Sequence, residues 1–303
     1  MKKISTLLMG LFIAQMSLLN FAQAQTAPAA KATQRTIEDG GTGPYKAIML
    51  QEASLATHTV FRPQDLSKFG VNNKLPIIAW GNGACNNSPY EHLNFLSEVA
   101  SNGFLIVAIG PMPAEGEKNG NGRSKSPQLT DAIDWAIAQN ADKNSPLYQK
   151  IDIAKIALSG MSCGGLQTLE MAPDPRITTQ VIYNSGIFIN NATAVGGMPN
   201  LGKAHLLKLH APTLYVLGGE KDIAYTNGMD DFKNINHVPV FVANFDVGHG
   251  GTYMQPHGGE FAKVAVNWYK WQLKGDTEAG KVFTGNPPGI SKFTGWAYDK
   301  KKM

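Results

Sequence analysis

Residues 156–165 read Ile-Ala-Leu-Ser-Gly-Met-Ser-Cys-Gly-Gly, and this stretch decides the fold. A short apolar run leads into Gly-x-Ser-x-Gly and then into a helix-compatible segment, which is the pattern of a strand, a sharp turn and a helix around an exposed serine. Gly160 and Gly164 suit such a turn, because a Cβ at either position would prevent the loop from closing. The motif alone is weak evidence in a chain with 32 glycines, but the preceding strand and the following Gly165 make Ser162 a strong nucleophile candidate.

Residues 1–24 have the features of a signal peptide. Two lysines precede a mostly apolar run over 4–21, and Ala22-Gln23-Ala24 places small residues at the two positions that a signal peptidase reads. Polar residues interrupt the apolar run, which disfavours the alternative of a retained membrane anchor. We therefore expect cleavage before Gln25 and an exported protein, periplasmic or extracellular, with no membrane attachment after cleavage.

The remaining chain reads as one domain. Residues 25–35 predict a flexible lead-in, and residues 36–303 contain no internal repeat or linker, which favours a single catalytic domain and a monomer. Loss of the two signal-peptide lysines lowers the formal charge from +4 to +2. So small a charge gives no indication of a nucleic-acid partner.

Short apolar strands alternate with helical segments after residue 36. Ser88, Pro89 and Glu91 have the spacing of a helix start, and further helices are predicted from Pro127 and over 261–271. Strands are predicted at 60–62, 76–80, 104–109, 155–158, 180–183, 212–217 and 238–245. This alternation predicts an α/β fold with a mostly parallel central sheet, helices on both faces and no large separate lid domain. Its chemistry should lie at the carboxyl ends of the strands.

Two strand-end loops can supply the partners that Ser162 needs. A serine hydroxyl becomes a good nucleophile when a base takes its proton, and an acid must hold that base in the right tautomer. The usual order in this architecture is nucleophile, acid, histidine. We predict Asp222, after strand 212–217, as the acid and His249, among glycines after strand 238–245, as the general base. The rivals are Glu220 and Asp246 for the acid and His257 for the base.

A tetrahedral intermediate also needs two hydrogen-bond donors for its oxyanion. The amide of Cys163 should be one. The amide of Ala84 is the best candidate for the second, because the glycine-rich loop after Trp80 lets the backbone approach closely. The alternative is an ordinary glycine turn.

Several segments together resemble the α/β-hydrolase superfamily, and within it the secreted cutinase and polyethylene terephthalate (PET) hydrolase group with the related dienelactone-hydrolase-like enzymes. Residues 101–104 (SNGF) resemble the family's "SHGF", and residues 145–152 (SPLYQKID) resemble "SPIYGKVD". Residues 211–214 (APTL) with 220–224 (EKDIA) resemble "VPTL…ENDSIA". The resemblance implies an α/β-hydrolase fold and ester hydrolysis, and it places the acid on Asp222.

The substrate cleft departs from the family pattern. The family often has an aromatic residue in the oxyanion loop and Trp or His before the nucleophile, whereas this chain has Ala84 and Met161. Residues 186–209 also form a longer connection than in the family. Four residues beside the catalytic loops are predicted as pocket walls, with an ordinary core position as the alternative for each: Trp80, Met161, Phe188 and Tyr253.

The same resemblance leads to a prediction about the two cysteines. Cys163 stands where the family commonly has Met or Gln, and Cys85 lies in the opposite oxyanion loop. If both loops flank one oxyanion, the cysteines should be neighbours, which predicts a disulfide bond. Two reduced, buried thiols are the alternative.

These features predict a serine hydrolase that cleaves carboxylic esters, small or polymeric, through an acyl-enzyme. No metal or organic cofactor is implied. The alternatives are a carbohydrate acyl esterase, suggested by the polar loop 81–88, and a catalytically silent binding protein with the same fold.

Overall fold

A ten-stranded sheet forms the centre of the computed structural model, which describes residues 33–117, 120–189 and 195–303. The predicted signal peptide and residues 25–32 of the predicted lead-in lie outside the described residues. The strands are β1 (Gln34–Arg35), β2 (Ala47–Leu50), β3 (His58–Pro63), β4 (Leu75–Gly81), β5 (Leu105–Ile109), β6 (Ile151–Met161), β7 (Thr179–Tyr183), β8 (Thr213–Leu217), β9 (Val240–Phe245) and β10 (Trp296–Lys301).

The sheet has the order β1-β2-β3-β5-β4-β6-β7-β8-β9-β10. Strands β5, β4, β6, β7, β8 and β9 are parallel, while β1, β2, β3 and β10 pair antiparallel at the two sides. The strand order reverses at β4, because β5 lies on one side of it and β6 on the other. Ligand sites of such sheets form at this switch point, beyond the carboxyl ends of the strands.

Helices cover both faces of the sheet. They are α1 (Leu93–Ser101), α2 (Pro127–Ala141), α3 (Cys163–Met171), α4 (Tyr225–Asn234), α5 (Gly259–Lys274) and the short α6 (Thr277–Gly280). Helices α1 and α5 pack on one face, and α2, α3 and α4 pack on the other. Strand β8 shows the alternation, since Leu214 and Val216 face α5 while Tyr215 and Leu217 face α4. The predicted α/β-hydrolase architecture is confirmed, with no separate lid domain among the described residues.

Some predicted boundaries are wrong. Ser88 does not cap an α-helix: its Oγ accepts from the amide of Tyr90, which begins a 3-10 turn, and α1 starts only at Leu93. Gln34 and Arg35, assigned to the lead-in, form β1. Strands β2 and β10 were also not predicted. No described helix has the length and apolar character needed to cross a membrane.

Candidate active site

Ser162 occupies the sharp turn between β6 and α3. Its backbone has φ 54° and ψ −113°, a conformation that costs a non-glycine residue about 1–3 kcal/mol. A Cβ on Gly160 would overlap the carbonyl group of Gly164, and a Cβ on Gly164 would overlap the carbonyl group of Gly81. The two glycines of the motif are therefore needed for close backbone packing between the turn and the end of β4.

A continuous hydrogen-bond chain leads away from Ser162. His249 Nε2 lies 3.0 Å from Ser162 Oγ, and His249 Nδ1 lies 2.6 Å from Asp222 Oδ1. A carboxylate oxygen has no proton to donate, so the hydrogen bond to Asp222 must be donated by His249 Nδ1. The proton of neutral His249 therefore lies on Nδ1, and Nε2 is free to accept from the serine hydroxyl. The structure thus brings together the three residues predicted as nucleophile, base and acid.

Asp222 is held by four donors. Its Oδ1 accepts from the ring of His249 and from the amide of Ala224 at 2.9 Å. Its Oδ2 accepts from the amide of Gly218 at 3.0 Å and from Asn184 Nδ2 at 2.8 Å. Burial of the carboxyl opposes ionisation, but these four hydrogen bonds outweigh it and bring the pKa of Asp222 below its ordinary value. Asp222 is therefore a carboxylate at neutral pH.

The rival acid and base residues lie outside this chain of contacts. Glu220 is exposed. Asp246 Oδ2 lies 3.7 Å from Lys221 Nζ at the surface. His257 Nδ1 is 3.6 Å from Glu38 and 3.8 Å from Glu98, in a separate cluster.

The two loops predicted to bind the oxyanion are joined covalently. Cys85 and Cys163 form a disulfide bond with their Cα atoms 5.1 Å apart, as expected from the resemblance. Cys163 is the first residue of α3, so its N–H has no acceptor within the helix. Ala84 precedes Cys85 in the 3-10 turn Gly83–Cys85 and has φ 52°. The carbonyl of Ala84 accepts from Arg123 Nη2 at 3.2 Å, which adds a second tie to this loop.

A pocket of about 90 Å³ opens beside Ser162 and His249. Its apolar walls are Leu166, Phe188, Met198 and Ile223. The structure therefore places one of the four predicted wall residues, Phe188, in the pocket.

Trp80, Met161 and Tyr253 do not line this pocket. Trp80 and Tyr253 are almost fully buried in the cluster under α1 and α5. Met161 is also buried and packs beneath Gly83. All three lie in one core cluster, the alternative to a pocket wall. A larger cavity of about 430 Å³ is lined by Glu98 and the rival base His257, but by none of Ser162, Asp222 and His249.

Sequence reasoning missed two polar residues after β7. Asn184 contacts Asp222, and Ser185 Oγ donates to the carbonyl of Ser162 at 2.7 Å. Their position at the carboxyl end of a parallel strand was the available signal. Among the described residues, no group of three His, Cys, Asp or Glu side chains has the arrangement of a metal site.

Comparison with known families gives one match. The model of the PETase family, described as PET hydrolase-like, matches residues 85–295, which is more than half of the chain. The matched region contains Ser162, Asp222 and His249. No curated protein sequence matches the chain significantly.

Proposed function

Because the chain belongs to the PET hydrolase-like family, we propose that it is an exported serine esterase that cleaves carboxylic esters through an acyl-enzyme on Ser162. Membership of the family supports ester hydrolysis in general. The observation that carries the serine mechanism is the hydrogen-bond chain from Ser162 Oγ through His249 to Asp222. The Cys85–Cys163 disulfide supports export, because such bonds persist in oxidising compartments.

In the proposed reaction, Ser162 Oγ attacks the ester carbonyl carbon while His249 Nε2 accepts the hydroxyl proton. The amides of Cys163 and Ala84 donate to the resulting oxyanion. The bond to the alcohol oxygen then breaks as His249 returns the proton to that oxygen, which leaves the acyl group on Ser162. A water molecule, deprotonated by His249, attacks the acyl-enzyme, releases the acid and restores the serine. Asp222 remains ionised throughout and stabilises the imidazolium form of His249.

The pocket favours esters with a small, apolar acyl group. Its volume of about 90 Å³ is well below the roughly 300–1,000 Å³ of sites that enclose drug-sized ligands. Three of the exposed large apolar residues also lie on the catalytic loops: Ile223, Val247 and Met254. Ile223, which is 80% exposed, follows Asp222 directly and offers an apolar rim to the less enclosed part of the substrate. We therefore propose that a bulky or polymeric ester would be held mainly at this open rim.

A panel of p-nitrophenyl esters of increasing acyl length tests both proposals. The wild type should hydrolyse the short esters and lose activity as the acyl group outgrows the pocket, and Ser162→Ala should abolish turnover. Ser159→Ala is a matched control, because Ser159 is a buried serine on the same strand that bonds Tyr269 Oη. A fluorophosphonate should transfer its phosphonyl group, with loss of fluoride, to the wild type and to Ser159→Ala but not to Ser162→Ala, and mass spectrometry should detect the added group.

Hydrolysis that survives Ser162→Ala would refute the serine mechanism. A wild type without activity on any ester, and without fluorophosphonate labelling, would favour the silent binding protein. The carbohydrate alternative draws little support from loop 81–88. The side-chain amides of two of its three asparagines donate to protein carbonyl groups, Asn82 to those of Asn86 and Ile109 and Asn87 to that of Asn121.

A further inference from the structure

A buried polar relay lies behind Asp222, on the side away from His249. Tyr253 Oη donates to Asn184 Oδ1 at 2.5 Å, and Asn184 Nδ2 donates to Asp222 Oδ2 at 2.8 Å. Tyr253 and Asp222 are 2% and 3% exposed, and Asn184 is fully buried. With so little access to water, these groups depend on one another for their hydrogen bonds.

The relay fixes the direction of the Asn184 amide. If the amide turned over, its Oδ1 would face a carboxylate oxygen of Asp222, where neither atom carries a proton to share. The hydroxyl of Tyr253 stabilises the productive direction by donating to Oδ1. Burial raises the pKa of Tyr253 well above its ordinary value, so this donor keeps its proton over the whole range of an enzyme assay.

The relay also joins three strand-end loops. Asn184 follows β7 with φ 41°, a left-handed conformation that asparagine tolerates better than most residues. Asp222 lies in the loop after β8, and Tyr253 lies four residues after His249 in the segment that follows β9. Asn184 Nδ2 also lies 3.4 Å from the carbonyl oxygen of Gly248, next to the catalytic histidine.

We propose that Asn184 and Tyr253 are positioning residues of the catalytic acid: Tyr253 orients the Asn184 amide, and Asn184 holds Asp222 so that Oδ1 faces His249. This inference rests on the proposed esterase function. Asn184 borders the pocket with no exposed surface, Tyr253 lies outside it, and both act through Asp222. Loss of either should lower kcat, and loss of the Tyr253 hydroxyl should leave KM nearly unchanged.

Tyr253→Phe is the sharpest test, because it removes one hydroxyl and keeps the ring. We expect kcat to fall about tenfold, the effect of one lost hydrogen bond, with little change in KM. Tyr183→Phe is the matched control, since it removes a buried hydroxyl from the same aromatic cluster, bonded to Tyr269 instead of to the acid. It should keep the kcat of the wild type. Urea unfolding of both variants checks that they are folded under the assay conditions.

Asn184→Asp gives a second readout. It keeps the shape and backbone tolerance of asparagine, but it replaces the donor to Asp222 with a second carboxyl oxygen. A neighbouring like charge raises a carboxyl pKa, so the pKa of Asp222 should rise. The acidic limb of the kcat/KM profile should then move to higher pH, an effect that a purely structural role would not produce.

Proton NMR separates failure of this inference from failure of the proposed function. The downfield signal of the His249 Nδ1–H, which is bonded to Asp222, should shift in Tyr253→Phe and stay in place in Tyr183→Phe. An inactive wild type would refute the esterase while the NMR comparison still decides the relay. An active wild type whose kcat falls equally in the two tyrosine variants, or in neither, would overturn the relay alone. An unshifted acidic limb in Asn184→Asp would do the same.

Discussion

Replacing both Cys85 and Cys163 with alanine removes the covalent bond between the two loops that are proposed to bind the oxyanion. The bond closes a loop with a sequence separation of 78 residues, for which the chain-entropy relation gives about 4.5 kcal/mol of stabilisation at 25 °C. A typical domain is stable by about 5–15 kcal/mol, so this loss is a large part of the total. With a urea m-value of about 3 kcal/mol/M, the unfolding midpoint should fall by roughly 1.5 M.

The same change should weaken catalysis. The Cys163 amide is held at the start of α3, whereas Ala84 lies in a short turn tied by the disulfide and by Arg123. Without the disulfide, Ala84 should donate less well to the oxyanion. Complete loss of one such donor costs about 10²–10³ in kcat, and we expect a smaller fall, of about tenfold.

Urea unfolding and ester kinetics of Cys85→Ala/Cys163→Ala measure the two effects together. The matched control is wild-type protein equilibrated in urea with and without a thiol reductant, which breaks the same bond without changing the sequence. The reductant should lower the unfolding midpoint of the wild type and leave that of the double variant unchanged. A double variant with wild-type kcat would refute the role of the bond in the oxyanion hole, and a midpoint lowered by less than about 0.3 M would refute its stabilising role.

Three further predictions follow from single contacts. Gly164→Ala should destabilise the protein by about 3 kcal/mol or more, since its Cβ would overlap the Gly81 backbone; a urea midpoint equal to that of the wild type would contradict this. Asp222→Asn should lower kcat by roughly 10⁴-fold, because the amide favours the wrong tautomer of His249; steady-state ester kinetics measure this, and a loss below tenfold would argue against Asp222 as the acid. Burial raises the pKa of Asp231 to about 6 despite Lys203 at 2.6 Å, so the folded state binds this proton more tightly than the unfolded state. The unfolding free energy should then fall by about 2 kcal/mol between pH 4.5 and pH 7, out of about 3 kcal/mol for the whole transition. Urea unfolding at these two pH values should find this component absent from Asp231→Asn.

The nucleophile turn and the parallel sheet could be predicted because each depends on local chemistry. The backbone approaches other backbone so closely at Gly160 and Gly164 that glycine is required wherever this turn occurs. Apolar strands that alternate with helices are compatible with few folds other than a parallel sheet covered by helices. The strands that escaped prediction lie at the sides of the sheet. Strand β10, Trp-Ala-Tyr-Asp-Lys-Lys, is an edge strand with charged residues, which protect an edge and also hide the usual apolar signal.

The pocket walls could not be predicted from sequence for a different reason. Central strands of a parallel sheet are buried on both faces, so the sequence carries no polar face to orient Trp80 or Met161. Phe188 and Met198 reach the pocket from the two described parts of the connection, 186–189 and 195–209, both of which contact α4. One such contact is the Ile187 amide donating to Asp231 Oδ2 at 2.8 Å. A side chain that is positioned by tertiary contacts of this kind produces no periodic pattern of apolar residues in the sequence.

The two halves of the site differ in how their groups can be positioned. A backbone amide, such as that of Ala84, has no side-chain torsion, so its direction changes only when its loop moves. A covalent cross-link at the next residue, Cys85, therefore restrains it effectively. The carboxylate of Asp222 can rotate about its own torsions even when its loop is fixed, so donors from several directions are needed to hold it. Asn184 supplies one of these donors from the loop after β7. For this reason we expect an asparagine buried behind the proposed triad to affect catalysis as directly as a disulfide beside the proposed oxyanion site.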